Sequence, residues 1–189
     1  MRLRKSDDAI KKVEQVVSKK YLDSLSSLKA CSYDSHQDDY LCQLENEVYN
    51  FDRIKQKFCD SNRYFEMTSV DTLMSDKSKI YLIEFKNKST IPYVEIRAKL
   101  FDSLLILEEE FELAREHFSC IELLVVYSPT KKARKAYLNM KNHLHLLAGN
   151  EKDEIEHFKV YKDKYGIKSF RLSSEDFEAY IRPKLVNKQ

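Results

Sequence analysis

Three residues near the middle of the chain have the types and spacing that chemistry requires. Glu84 and Lys86 end the stretch Ile80-Tyr81-Leu82-Ile83-Glu84-Phe85-Lys86, in which four consecutive apolar residues read as a strand buried on both faces. Because strand side chains alternate, Glu84 and Lys86 share a face with Ile80 and Leu82, while Tyr81, Ile83 and Phe85 point the other way. Asp71 lies in the preceding segment, residues 69–74, which reads as a neighbouring strand. Two carboxylates and an ammonium converging there would suit a metal-dependent hydrolytic site. The competing reading is a set of charged strand ends in solvent, of little energetic value.

An acid-x-base triplet says nothing by itself, since about five are expected by chance in a chain so rich in charge. The sequence holds two, and the other, Glu95-Ile96-Arg97, falls in a predicted helix. The weight therefore rests on the elements around Glu84. In residues 6–28, Ile10, Val13, Val16, Val17, Tyr21 and Leu25 recur at three and four, as an amphipathic helix requires. A second helix is predicted over residues 38–58, with the apolar stripe Leu41, Leu44, Val48, Phe51 and Phe58 and with Glu47 on its edge. Residues 63–67 and 69–74 read as short strands, and residues 75–79 as a polar turn. Pro92 precedes a long helix that keeps an apolar face to about residue 116, and the run over residues 121–127 reads as another apolar strand. Strand, long helix, strand is a βαβ unit, which puts its two strands parallel and adjacent.

Beyond it, Ser128-Pro129-Thr130 caps a predicted helix over residues 131–147, and Gly149 and Asn150 punctuate the chain. A charged segment runs to Tyr165, Gly166 turns it, and residues 167–172 read as an edge strand. Ser173 or Ser174 caps a last helix to residue 180, leaving residues 182–189 frayed.

Taken in order, a helix with Glu47, a strand, a strand with Asp71, a strand ending Glu84-Phe85-Lys86, a long helix and a strand resemble the PD-(D/E)xK nuclease superfamily over roughly residues 38–128. Val70 precedes Asp71 where the family motif has proline. The resemblance implies an α/β fold: a restriction-endonuclease-like αβββαβ core on a mixed central sheet, within a single domain that adds N-terminal helices (1–37) and a C-terminal part (129–189). It implies Asp71, Glu84 and the main-chain carbonyl of Phe85 as ligands of Mg²⁺ or Mn²⁺. Lys86 would orient or deprotonate the attacking water and hold a phosphate oxygen, and Glu47 would hold a second metal or a metal-bound water. The implied activity is metal-dependent phosphodiester hydrolysis, with DNA as the substrate expected, in repair, recombination or defence. A non-catalytic nucleic-acid-binding or protein-interaction module on the same fold is the alternative.

Nucleic acid as a partner also asks for cations. Lys88, Arg97 and Lys99 follow the triplet and are candidates for phosphate contacts. So are Lys131, Lys132, Arg134 and Lys135, which crowd the start of a predicted helix where the dipole disfavours cations and an external anion would compensate. A solvated face is the plainer reading for each. Net charge is only +2, so overall charge does not announce a nucleic-acid binder.

Other classes drop out. With two glycines there is no Gly-rich phosphate loop. Cys31, Cys42, Cys59 and Cys120 form no CxxC pair and read as reduced cysteines of a cytoplasmic protein. His143 and His145, two apart on a predicted helix, point in different directions and lack a third metal ligand. No apolar run approaches the roughly 18 residues of a membrane span. The N-terminal helical part is a candidate surface for a homodimer.

Overall fold

The strand predicted over residues 80–86 lies at the centre of the sheet. The computed structural model describes residues 2–88, 90–128 and 153–186. Its elements in chain order are α1 (Arg2–Lys20), β1 (Leu25–Ser27), α2 (Leu28–Cys31), β2 (Tyr33–Asp34), β3 (Asp39–Tyr40), β4 (Glu47–Asn50), α3 (Phe51–Asn62), β5 (Thr72–Ser75), β6 (Ile80–Lys86), α4 (Tyr93–Glu109), β7 (Ile121–Tyr127), β8 (Asp153–Glu154), α5 (Lys159–Tyr165), β9 (Lys168–Ser173) and α6 (Ser174–Val186). Seven strands form one sheet in the order β1-β4-β5-β6-β7-β9-β8, and β2 and β3 form a separate ribbon. The sheet is mixed: β1, β4, β5 and β6 run antiparallel in succession, β6-β7 and β7-β9 are parallel, and β8 is antiparallel to β9.

The β6-α4-β7 crossover is the predicted βαβ unit, and its parallel register pairs Ile80 with Ile121 and Glu84 with Val125. Alternation along β6 divides the molecule into two cores. Ile80 and Leu82 enter one with Val13, Phe51, Ile54, Ile96, Leu100 and Leu104 from α1, α3 and α4, whereas Tyr81, Ile83 and Phe85 enter the other with Leu44, Val48, Phe177 and Ile181. The helices thus cover both faces of β6, which explains its unbroken apolar run. Each aliphatic side chain so buried contributes about 1.5–3 kcal/mol. Gly166 ends α5 at φ +74°, where a Cβ would stand 2.9 Å from the Cβ of Ser119, so both the left-handed turn and the close approach call for glycine.

Several predicted elements form differently. No helix spans residues 38–58: residues 39–50 hold β3, a stretch without regular structure and β4, and α3 begins only at Phe51. Leu41, Leu44 and Val48 are buried as predicted, but in the second core, while main-chain carbonyls of Leu44 and Asn46 accept from Lys29 and Leu28. The local start signal is Asn50, whose side chain accepts from the amide of Arg53 at 3.0 Å. Residues 63–67 form no strand; Tyr64 and Phe65 are exposed there. The three antiparallel strands leading to the crossover are instead β4, β5 and β6, with α3 inserted between the first two.

The first helix ends at Lys20 rather than near residue 28, and β1 follows at the sheet's edge. The crossover helix stops at Glu109, before a left-handed Glu112 and a short 3₁₀ turn. β9 is not an edge strand, because β8 pairs outside it. Ser173 caps α6, accepting from the amide of Asp176, and that helix runs on to Val186 with Leu185 buried. The helix predicted over residues 131–147, with His143 and His145, lies outside the described residues. Among the described residues, no helix is long and apolar enough to cross a membrane.

Candidate active site

The β5-β6 register pairs Thr72 with Ile83, so Asp71, one residue before β5, comes level with Glu84. The two acids are held differently. Glu84 is fully buried on the face it shares with Ile80 and Leu82, as alternation requires. Asp71 is half-buried, and its Oδ2 accepts from the Phe85 amide at 2.6 Å. That hydrogen bond ties the end of one strand to the Glu84-Phe85-Lys86 triplet on the next.

Two lysines meet these acids. Lys86 Nζ lies 2.9 Å from Glu84 Oε1 and also holds Glu95 Oε1 at the start of α4. Lys99, one turn further along α4, places its Nζ 2.8 Å from the same Glu84 oxygen and 3.5 Å from Asp71 Oδ1. Glu84 Oε2 is buried and receives no hydrogen bond. A strand end in solvent does not match this arrangement, since Glu84 sits in the interior with two cations on one oxygen and none on the other.

The protonation balance follows from burial and from the two like charges. Burial, with the Glu84 charge adding to it, pushes the Asp71 carboxyl up to about 8, against the opposing pull of Lys99. Glu84 is also raised by burial, although Lys99 and Lys86 counter it. Burial acts to lower both lysines, but the facing carboxylates outweigh it and keep both ammonium groups charged.

The α4 turn that carries Lys99 is stapled to the segment that carries Asp71. Thr68 donates its amide and its hydroxyl to Asp102 Oδ2 at 2.9 and 2.7 Å, and the Val70 amide donates to the buried Ser103 Oγ at 3.1 Å. Ser103 in turn donates to the Lys99 carbonyl at 2.7 Å. These bonds fix the backbones on both sides of the acid pair.

Glu47 does not join this site. It is exposed on β4 rather than on a helix, and since Asn50 pairs with Thr72 and Tyr49 with Leu73, it comes level with the far end of β5, about 13 Å from Asp71 along the strand. The acid in the first turn of α3 is Asp52, whose charge raises Asp71 and Lys99 and whose Oδ1 accepts from Ser69 Oγ at 2.6 Å. Asp52, Glu95 and the role of Lys99 escaped the sequence reading. The available signals were Asn50 as a cap with an acid two residues on, and Glu95 four residues before Lys99 on one helix.

The remaining candidates are scattered. Lys88 is exposed just past β6, with its amide donating to the Lys86 carbonyl at 2.7 Å, and Arg97 is exposed on α4. Lys99 faces the acids instead of solvent. Lys131, Lys132, Arg134 and Lys135 lie outside the described residues.

Among the described residues, no group of three or more His, Cys, Asp and Glu side chains is gathered to hold a metal. The donor set at Asp71 and Glu84 is two carboxylates, one with an unpartnered buried oxygen, to which the Phe85 carbonyl is the implied addition. That set fits Mg²⁺, a hard cation that keeps several waters and takes one or two carboxylates alongside substrate phosphate. Comparison with family models, with curated proteins and with solved structures finds no match to the chain.

Proposed function

We propose that this chain is a metal-dependent nuclease of the PD-(D/E)xK type, hydrolysing phosphodiester bonds, with DNA as the expected substrate. The observation that carries the reading is the convergence of Asp71 and Glu84 across β5 and β6, with Lys86 on the same strand and face as Glu84. In this reading β4, β5, β6, α4 and β7 are the restriction-endonuclease-like core, with α3 inserted between β4 and β5. Four free cysteines agree with action inside the cell.

Asp71 and Glu84 would hold Mg²⁺ or Mn²⁺ through carboxylate oxygens, with the Phe85 carbonyl beside them. The cation supplies Lewis-acid polarisation of the phosphoryl group. Lys86, with three N–H donors and a charge kept by Glu84, holds a non-bridging phosphate oxygen and orients the attacking water. Glu95 holds the Lys86 ammonium at the start of α4. Lys88 and Arg97, both exposed, supply contacts to the nucleic-acid backbone.

One observation favours the non-catalytic alternative: the Lys99 ammonium already stands within 3.5 Å of both acids without a metal. Incubation of the purified protein with single- and double-stranded DNA in Mg²⁺ or Mn²⁺ separates the readings. Cleavage lost in D71A and K86A variants that remain folded is the expected result. DNA binding without cleavage, or cleavage unchanged in D71A, supports the alternative.

A further inference from the structure

Lys99 is held between the two acids by a side chain, while its backbone is held by a separate set of bonds. The Ser103, Asp102, Thr68 and Val70 contacts keep the α4 turn against the Asp71 segment whether or not the ammonium is in place. Glu84 belongs to a central strand and has no comparable freedom. The Lys99 stem is four methylenes long, and its side chain retains 19% exposure, so a path to solvent is open. The ammonium stands against an oxygen of each acid, the position that a cation shared by both would require, and the second Glu84 oxygen remains without a donor. Lys86, in contrast, is tied between Glu84 and Glu95 and touches only one of the two converging acids.

We infer that Lys99 is a built-in stand-in for the divalent cation: its ammonium keeps Asp71 and Glu84 converged in the metal-free protein and swings out when the metal binds. The inference rests on the metal-site reading above and deepens it. Two buried acids held level with each other repel when charged, and an ammonium within 3.5 Å of both offsets that repulsion before the metal arrives. The same charge competes with the metal. Apparent metal affinity is then reduced by the fraction of molecules in which Lys99 occupies the acids. Once released, the ammonium stays tethered beside the site, where an incoming phosphate is its natural partner.

Amine footprinting of the full chain with acetic anhydride, read by mass spectrometry, tests the displacement without relying on activity. Acetylation of Lys99 is expected to rise about threefold or more on adding Mg²⁺, while Lys88 stays unchanged. Mn²⁺ affinity, followed through the resonance of the free ion, is expected to be about tenfold tighter in K99M than in the parent, with K99R close to the parent. A lysine fixed in place would also repel the metal, so the footprint decides between moving and static roles. If Mn²⁺ binds while Lys99 labelling stays constant, or if folded K99M binds no more tightly, the inference fails and the nuclease reading survives. If neither protein binds Mn²⁺, both fall.

Discussion

Asp71 and Glu84 stand level with each other one step beyond the Thr72-Ile83 pair, and a single ammonium, that of Lys99, lies within 3.5 Å of both carboxylates. This relationship makes the end of β6 costly to maintain. Two acids drawn out of water next to each other are not a device for stability, and the fold holds them with staples from α4.

The strain has a pH signature. The Asp71 carboxyl is pushed up from its ordinary 3.8 to about 8, so between these values the folded protein binds a proton that the unfolded chain does not. The stability tied to that proton is whole below pH about 4 and is lost as pH rises through about 8. D71N has nothing to lose in this window. Thermal melts should show the variant and parent closest below pH about 4, with the gap growing as pH rises and D71N more stable by about 1–3 kcal/mol above pH 8. A gap that does not grow with pH would count against the burial of an acid pair. Mg²⁺ should narrow the gap at high pH by stabilising the parent alone.

Ser103 is buried and accepts from the Val70 amide, so S103A leaves that amide unpaired next to Asp71 and should cost about 1–2 kcal/mol. Urea titration reads the loss. Metal affinity should fall as well in protein that remains folded, because the same bond positions the Asp71 segment. Undiminished affinity would mean that Asp71 is placed by β5 alone.

Much of the fold was legible from local pattern, and the failures have a common cause. β6 is apolar up to Glu84 and β7 is apolar apart from Glu122, because helices cover both of their faces, and α4 carries enough apolar residues to be read as a helix. Residues 41–48 misled because Leu41, Leu44 and Val48 fit a helical period while being buried outside any helix. The cap residue Asn50 marks the true boundary, which apolar spacing does not show. Asp71, Glu84 and Lys86 were readable because their alternation and adjacency are local properties of two strands. Lys99 was not, since its partners lie 28 and 15 residues back and only the crossover of α4 brings it over them.

Lys86 and Lys88 offer a controlled comparison two residues apart. Lys86 is held against Glu84 in the site, whereas Lys88 is exposed past the strand end. K86A should lower the rate of DNA cleavage by about 10²-fold or more with little change in DNA binding. K88A should weaken binding only a few-fold and reduce its salt dependence by about one ion. Equal effects of the two substitutions on the rate would remove Lys86 from its assigned role.

Glu47 lies level with Ser75 at the far end of β5 and is exposed, so E47Q should leave metal affinity, DNA cleavage and stability unchanged within error. Asp52 acts on the site from the first turn of α3, raising Asp71 through its charge and tying Ser69 two residues before it. Its removal has two opposed consequences: loss of a negative charge lowers the Asp71 pKa, and loss of the Ser69 acceptor loosens the segment that carries Asp71. D52N keeps an acceptor for Ser69 and isolates the charge, whereas D52A removes both. Mn²⁺ affinity should therefore be retained or rise in D52N, whose Asp71 ionises more readily, and be lower in D52A than in D52N, with cleavage following the same order. Loss of metal binding in E47Q with full retention in D52A would restore Glu47 to the site and refute the placement of β4.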